Sequence, residues 1–147
     1  MTPAYEYFEM EADVGVIGRG ATAAEAFVQT ARGVFALIVD PATVEGREPR
    51  EVRAHGESLE ALLVAWINEC LYVHEVEGFV AGDVRLEVFE TTPLAGGEPL
   101  RLHSFLLGEE IDPGRHRLGT VVKAATFHRV SVKATEAGYE ARLVLDV

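Results

Sequence analysis

The pattern of apolar and polar positions predicts two helices in the first half of the chain. The clearer one follows Ser58, a residue suited to cap a helix, and ends at Gly78, which is typical of a helix C-terminus. Between them, apolar residues recur three and four positions apart in one stripe: Leu59, Leu62, Leu63, Trp66, Ile67, Cys70 and Leu71. The stripe predicts an amphipathic helix with Trp66 and Cys70 in the core and with Asn68 and Glu69 on the solvated side.

An earlier helix is predicted from Thr22 to the Asp40-Pro41 pair. Thr22 and Glu25 form a capping box, whose side chains are placed to accept hydrogen bonds from N–H groups at the helix start. Apolar residues follow at helical spacing and are Phe27, Ala31, Val34, Phe35 and Ile38. Because proline disfavours helical geometry at the residue before it, the helix is expected to end at Asp40.

Strands are predicted on either side of the helices. Alternating or β-branched runs mark 4–10, 14–20, 51–55, 83–92, 100–111, 120–134 and 139–147, with loops or turns over 41–49, 93–99, 112–114 and 136–138. Helices early in the chain and strands later are typical of an α+β domain. We therefore expect a single domain, residues 1–147, in which two helices pack on one face of a largely antiparallel mixed β-sheet.

Composition narrows the class of partner. The chain has 13 Lys and Arg residues against 24 Asp and Glu residues, a formal net charge of −11, which argues against direct binding to nucleic acid phosphates. This charge suits a soluble protein whose partners are cations or proteins with a basic patch. No apolar run is long enough to span a membrane, no signal peptide precedes the first strand, and Cys70 is the single cysteine, so a cytoplasmic location is expected.

Candidate chemistry centres on carboxylates near the two ends of the chain. Asp146 ends an apolar strand next to the last residue, Val147, and Asp13 lies at a turn between the first two strands. Carboxylate oxygens held close together and partly desolvated repel one another, and a hard cation relieves that repulsion. We therefore hypothesise a metal site that joins the ends of the chain, although Asp13 alone would also suit a plain turn. Oxygen-only ligation favours calcium, magnesium or manganese over zinc.

Other candidate residues have alternatives that the sequence leaves open. Lys123 is either an exposed strand lysine or a cation that holds the acids together before a metal binds. His128 either faces solvent or lines the same surface as the acids. Arg115-His116-Arg117 is a basic island that either forms a solvated loop or touches RNA or an acidic partner. The five histidines lack the paired spacing of a structural zinc site, and neither a phosphate-binding glycine loop nor a Ser/His/Asp nucleophile motif is present.

Several segments, taken in order, resemble the archease family. They are Ala12-Asp13-Val14-Gly15, Gly56-Glu57 before Leu59-Glu60-Ala61-Leu62-Leu63-Val64, then Trp66, Asn68-Glu69 and Leu71-Tyr72, then Arg115-His116, Leu118-Gly119-Thr120, Val122-Lys123-Ala124, Thr126 and His128, and finally Leu145-Asp146-Val147. Each segment alone is a weak signal, whereas the set covers almost the whole chain in order and is specific.

The resemblance implies a small α+β protein that assists an RtcB-type tRNA-splicing ligase. Such a ligase joins RNA ends bearing a 2′,3′-cyclic phosphate or 3′-phosphate to a 5′-hydroxyl through a guanylylated histidine of its own. The family promotes that guanylylation and so allows multiple turnover, and it meets RNA only through the ligase. The resemblance also implies a divalent cation, calcium ahead of magnesium or manganese, at Asp13 and Asp146, with Val147 adding a backbone or carboxylate oxygen.

Two positions depart from the family pattern. Met10-Glu11 stands where family members usually have His-Thr, and Ala65 replaces an acid that often precedes the tryptophan. Glu11 either adds an oxygen to the cation site or faces solvent. Neither change touches Asp13 or Asp146, so the expected cation site is retained.

The predicted function is that of a non-catalytic protein cofactor whose cation-loaded tip meets the metal and guanylate site of the ligase. Two other classes compete with it. A small metal-dependent hydrolase or phosphotransferase would use the same acids with Lys123 or His128 as acid–base partner, and would need a deep pocket. A chaperone-like binding module would need a large exposed apolar patch, which the regular alternation of the sequence does not suggest.

Overall fold

The computed structural model describes residues 3–10, 13–91 and 99–147. These ranges hold seven strands and two helices: β1 (Tyr5–Met10), β2 (Asp13–Gly20), α1 (Ala23–Ile38), β3 (Glu48–Gly56), α2 (Leu59–Glu77), β4 (Phe79–Glu90), β5 (Leu100–Glu110), β6 (Ala124–Thr135) and β7 (Gly138–Asp146). A short 3-10 turn, Pro41–Thr43, follows α1. No helix within these ranges combines the length and the apolar character needed to cross a membrane. Glu11 and most of the turn predicted over 93–99 lie outside the described residues.

The described strands form two sheets in which every neighbouring pair is antiparallel. One sheet has the order β1-β2-β7-β6 and the other the order β3-β5-β4. The predicted α+β class is confirmed, but the strands divide between two sheets instead of sharing one, and each helix packs against strands of both. Apolar alternation indicates which face of a strand is buried and not which strand lies beside it, so it does not predict this division.

Both helices begin and end close to where the sequence predicts. The Thr22 hydroxyl accepts a hydrogen bond from the Glu25 N–H at 3.1 Å, and the Glu25 carboxylate accepts one from the Ala21 N–H at 2.7 Å. Ser58 caps α2 with its side-chain oxygen. Gly78 ends α2 with a φ of 60°, in the left-handed region that favours glycine.

The strand bounds differ from the prediction in the second half of the chain. β4 begins four residues earlier than predicted because Phe79 and Val80 are buried directly after the helix cap. The strand predicted over 120–134 begins only at Ala124. The segment before it pairs with the end of α1 instead: the Gly119 N–H bonds to the Ile38 carbonyl at 2.8 Å and the Thr120 N–H to the Leu37 carbonyl at 2.7 Å.

The core is built around aromatic residues that join the helices to the three-stranded sheet. Phe27 of α1 stacks on Trp66 of α2 with ring centres 6.1 Å apart and meets Phe89 of β4 edge-on at 4.9 Å. The fully buried Trp66 donates its indole N–H to the Ser104 hydroxyl at 2.9 Å, and Ser104 donates to the Val52 carbonyl at 3.0 Å. The polar group that the tryptophan carries is therefore satisfied inside the core.

Candidate metal centre

Asp13 and Asp146 lie directly opposite each other on β2 and β7. Facing residues of an antiparallel pair project on the same side of the sheet with their Cβ atoms about 5 Å apart. Asp13 is half-buried at the first position of β2, and Asp146 is exposed at the last position of β7. The fold therefore brings together, at one end of the four-stranded sheet, two carboxylates that we call the acid pair.

The acid pair is a suitable but incomplete set of donors for a hard cation. Carboxylate oxygens are preferred ligands of calcium and magnesium. Within residues 3–10, 13–91 and 99–147, no group of three or more His, Cys, Asp and Glu residues is arranged to hold a metal ion. Since calcium takes about six to eight oxygen ligands, the acid pair would need water or the groups of a partner to complete the shell.

The backbone of Asp146 is held on both sides. On one side, Val147 is half-buried and packs against the core. On the other, the Lys123 N–H donates to the Asp146 carbonyl at 2.8 Å, and Ala124 lies opposite Asp146 in β6. The Asp146 carboxylate therefore projects from a fixed backbone, while a ligand role for Val147 stays a prediction.

The side chain of Lys123 lies away from the acid pair. It is exposed and lines a cleft together with His74 and Glu75 of α2. Because side chains alternate along an extended chain and Ala124 shares the face of Asp146, Lys123 projects to the opposite face. The structure thus fits an exposed lysine, placed one residue before β6, better than a cation between the two acids.

His128 is also separated from the acid pair. It is exposed and lies four residues along β6 from Ala124, about 13 Å in an extended strand. The register of β6 on β7 is broken in this stretch, beside Arg129 with its φ of 54°. A partner contact by His128 stays a prediction, as does any role of Glu11, which lies outside the described residues.

An aromatic ring lies beside the acid pair on the same face of the sheet. Phe8 of β1 is opposite Gly15 of β2, two residues along from Asp13. A Cβ at Gly15 would come within 2.3 Å of three carbons of the Phe8 ring, so the ring occupies the space that a side chain would need. The Arg142 guanidinium lies 4.9 Å from the centre of that ring. The order Asp-Val-Gly therefore has a physical reason, since Asp13 supplies the acid and Gly15 leaves room for Phe8.

Asn68 is not a solvated residue of α2, contrary to the prediction. Its Nδ2 donates to the Ala125 carbonyl at 3.1 Å, and its Oδ1 accepts from the Ala125 N–H at 2.8 Å. A side-chain amide offers the same donor and acceptor as a peptide group, so Asn68 completes the hydrogen bonding of β6 one residue from Ala124. Helical spacing gives no signal for this contact, because its partner lies far along the chain. Glu69, in contrast, is exposed as predicted.

A buried charged cluster at the end of β5 is not predicted by the sequence pattern. Glu109 is 6% exposed and His116 is 5% exposed. The Glu109 carboxylate accepts hydrogen bonds from the Arg115 guanidinium and from the Glu45 N–H. His116 Nδ1 accepts from the Asp112 N–H at 2.8 Å, and His116 Nε2 lies 3.4 Å from a Glu109 oxygen. A solvated or RNA-contacting island is therefore wrong for His116, because the turn at Asp112 folds it against Glu109.

Lowering the pH is expected to remove a stabilising contribution of Glu109. Hydrogen bonding from Arg115 is the largest cause that lowers the pKa of Glu109 from 4.5 to about 2, against an opposing effect of desolvation. A carboxyl group whose pKa falls on folding stabilises fully above its unfolded pKa, and here that contribution is lost between about pH 4.5 and pH 2. Urea unfolding of the wild type and Glu109→Gln should show a difference in unfolding free energy that shrinks below about pH 4.5. A difference independent of pH would contradict this assignment.

Sequence comparison with known proteins identifies relatives along nearly the whole chain. Residues 5–147 match the model of the Archease protein family. The chain is 39% identical over 144 residues to Protein archease of Thermococcus gammatolerans, covering 97% of this chain and 98% of that protein. It is 34% identical over 143 residues to Protein archease of Methanosarcina acetivorans, covering 97% and 95% respectively.

Solved structures with the same fold agree with the sequence comparison. The solution structure of Methanobacterium thermoautotrophicum protein 1598 matches with a TM-score of 0.78 and 29% identity, covering 98% of this chain and 99% of that one. The crystal structure of an archease from Thermotoga maritima, described as a possible chaperone, shares the fold with a TM-score of 0.59 and 18% identity, covering 95% and 94%. The family model and the relatives both span nearly the full length, and they show that this chain belongs to the archease family.

Proposed function

We propose that this protein is an accessory factor of an RtcB-type RNA ligase and acts through a divalent cation held at the acid pair. Such a ligase joins a 3′-phosphate or 2′,3′-cyclic phosphate to a 5′-hydroxyl through a guanylylated histidine. The protein would promote the guanylylation and so restore the ligase for further turnovers in tRNA splicing and RNA repair. Membership of the archease family supports the proposal, and the facing positions of Asp13 and Asp146 are the observation that carries it.

The position of the acid pair favours a partner-dependent role over independent catalysis. The pair lies at the end of the four-stranded sheet, and Asp146 is exposed there. Three open clefts and one small cavity in the described part of the chain are lined by other residues, whereas a hydrolase or phosphotransferase using these acids would need a pocket around its substrate. An incomplete donor set at an exposed edge suits a site that is completed by a second protein. We therefore prefer a non-catalytic cofactor to an enzyme.

In this role the residues of the chain would bind the cation and hold it in position. A divalent cation supplies positive charge near phosphoryl oxygens, where transfer reactions depend on charge neutralisation and alignment. Asp13 and Asp146 would hold the cation, while the Lys123 N–H and the packing of Val147 fix the backbone beneath Asp146. The oxygen-only donors favour calcium, with magnesium and manganese as alternatives. RNA would be reached only through the ligase, and a cytoplasmic location is part of the proposal.

The proposal is tested by multiple-turnover RNA ligation with the cognate ligase, GTP and manganese. Catalytic amounts of the wild-type protein should restore turnover, whereas Asp146→Ala, shown to be folded by circular dichroism, should not. Glu136→Ala is the matched control, because it also removes one exposed carboxylate but from the turn at the opposite end of β7. This control is expected to stimulate turnover as the wild type does.

The possible outcomes separate the competing functions. Equal stimulation by wild type and Asp146→Ala would contradict the role of the acid pair while leaving the ligase as partner. No stimulation by either protein would contradict the ligase proposal itself. Cation-dependent hydrolysis of a phosphate ester by the isolated protein, lost in Asp146→Ala, would support the competing enzyme.

A further inference from the structure

Large apolar side chains are exposed on three segments of the molecule that adjoin one another. Six such residues in the described part of the chain are at least 41% exposed, and five of them belong to α2, to β6 or to the segment before β6. These five, which we call the apolar flank, are Tyr72 at 60%, Val76 at 60%, Leu118 at 49%, Val121 at 78% and Phe127 at 65%. Single exposed apolar residues are common, whereas a group of them marks an interaction surface.

The parts of the apolar flank are joined because α2 lies against β6. The two hydrogen bonds between Asn68 and Ala125 fix this contact. Tyr72 and Val76 follow Asn68 at intervals of four residues, so they continue the same side of the helix. Phe127 lies two residues after Ala125 in β6, where the register of β6 on β7 shifts, and its side chain is 65% exposed. Tyr72 and Phe127 therefore both lie within four residues of the contact between Asn68 and Ala125.

A cleft connects α2 to the segment before β6. Leu118 and Val121 line it on one side, and His74 and Glu75 of α2 line it on the other, around a volume of about 320 Å³. This recess offers room for a large apolar side chain of a partner. Buried anchors of that kind supply most of the binding energy of a protein interface.

The backbone of the apolar flank is fixed in place before any partner binds. Val39 and Leu118 form a β-bridge, and the N–H groups of Gly119 and Thr120 bond to carbonyls at the end of α1 at 2.8 and 2.7 Å. A surface that needs no ordering on binding loses less entropy when a complementary folded surface docks. The apolar flank therefore suits one specific folded partner better than a range of unfolded chains.

The apolar flank comes close to the backbone of Asp146 and has an acidic margin on α2. Val121 precedes by two residues the Lys123 N–H that donates to the Asp146 carbonyl. Glu69 and Glu75 of α2 are exposed carboxylates beside the flank, whereas Glu77 is paired with Arg50 at 3.0 Å and Lys123 lines the cleft. The complementary surface is apolar at its centre and carries Lys or Arg at its edge.

We propose that the apolar flank is the surface on which the ligase docks, so that the acid pair is placed against the ligase's metal site. This inference rests on the proposed function and adds to it the surface that supplies the affinity. The apolar flank would determine the dissociation constant, and the acid pair would determine activation. The two surfaces are therefore separable by mutation.

Val121→Asp tests the inference, because it places a charge at the most exposed residue of the apolar flank. The dissociation constant for the purified ligase, measured by calorimetry, is expected to rise at least about tenfold. Ala137→Asp, in the exposed turn between β6 and β7, introduces the same charge elsewhere and should bind as the wild type does. Glu75→Lys should slow association and reduce its dependence on salt, since it reverses a charge at the acidic margin.

Asp146→Ala should lose activation of the ligase while losing much less affinity for it than Val121→Asp does, which places docking and activation on different residues. If the wild type activates the ligase and Val121→Asp binds equally well, the docking surface is wrong and the proposed function stands. If the wild type does not bind the ligase, both proposals fall. Suppression of the aggregation of denatured lysozyme, or a wild-type dimer that Val121→Asp dissociates, would assign the apolar flank to unfolded chains or to a second copy instead.

Discussion

Asp13→Asn is expected to be at least as stable as the wild type in a chelator and to lose the stabilisation that calcium gives. Facing like charges on paired strands are destabilising, so neutralising one of them relieves repulsion between β2 and β7. A cation that binds only the folded protein stabilises it by about 2.7 kcal/mol at a concentration about 100 times its dissociation constant. Urea unfolding followed by the fluorescence of Trp66, the single tryptophan, measures both effects.

Glu136→Gln separates the acid pair from the overall charge. It changes the net charge by the same amount in an exposed turn far from Asp13, and it should keep the full response to calcium. A calcium response of equal size in wild type and Asp13→Asn would show that the cation binds elsewhere. Because the readout is stability, this experiment does not depend on the identity of the partner.

Asn68→Ala is expected to lower the free energy of unfolding by about 2 to 4 kcal/mol, since it leaves a backbone donor and acceptor of Ala125 without their partner. The loss should be concentrated at the start of β6, next to the strand position that faces Asp146. Urea unfolding measures the total effect, and hydrogen exchange of the Ala125 amide locates it.

Glu69→Ala is the matched control for Asn68→Ala. It removes an exposed neighbour from the same helix and should change the unfolding free energy by no more than about 0.5 kcal/mol. If Asn68→Ala also stays within that range, the contact between α2 and β6 does not depend on this side chain. Other contacts would then hold the two parts of the apolar flank together.

Local signals in the sequence predict the helices and several strands well. The capping residues Thr22 and Ser58 and the left-handed glycine Gly78 each act within a few residues of the helix end they define. β5 and β7 end within one residue of the predicted bounds, because the turn residues around them interrupt the alternation. Such features depend on neighbours along the chain and are therefore visible without the fold.

Features that depend on distant partners are not visible in the sequence. His116 is polar and follows a turn, yet it is buried in a cluster with Glu109 of β5. Asn68 lies on the predicted polar side of α2, yet a strand more than 50 residues later supplies its partner. Apolar alternation does not predict the exposure of Leu118 and Val121, because their segment pairs with the end of α1 and not with a strand.

The acid pair combines residues that the sequence indicates with a pairing that only the fold provides. The positions of Asp13 and Asp146 near turns and strand ends indicate candidates, and the structure places them opposite each other. A cation at that position remains a prediction, since two carboxylates supply only part of a coordination shell. The remaining ligands of the cation would come from a partner protein or from water molecules.

The most direct measurement of the central claim is the rate at which the ligase histidine becomes guanylylated. Ligase, manganese and labelled GTP would be mixed alone or with wild type, Asp13→Ala, Asp146→Ala or Glu136→Ala, and the covalent label followed with time. We expect wild type and Glu136→Ala to accelerate labelling to the same extent and both acid-pair variants, although folded, to leave the rate at that of the ligase alone. Equal acceleration by wild type and both acid-pair variants would contradict the claim that activation runs through Asp13 and Asp146.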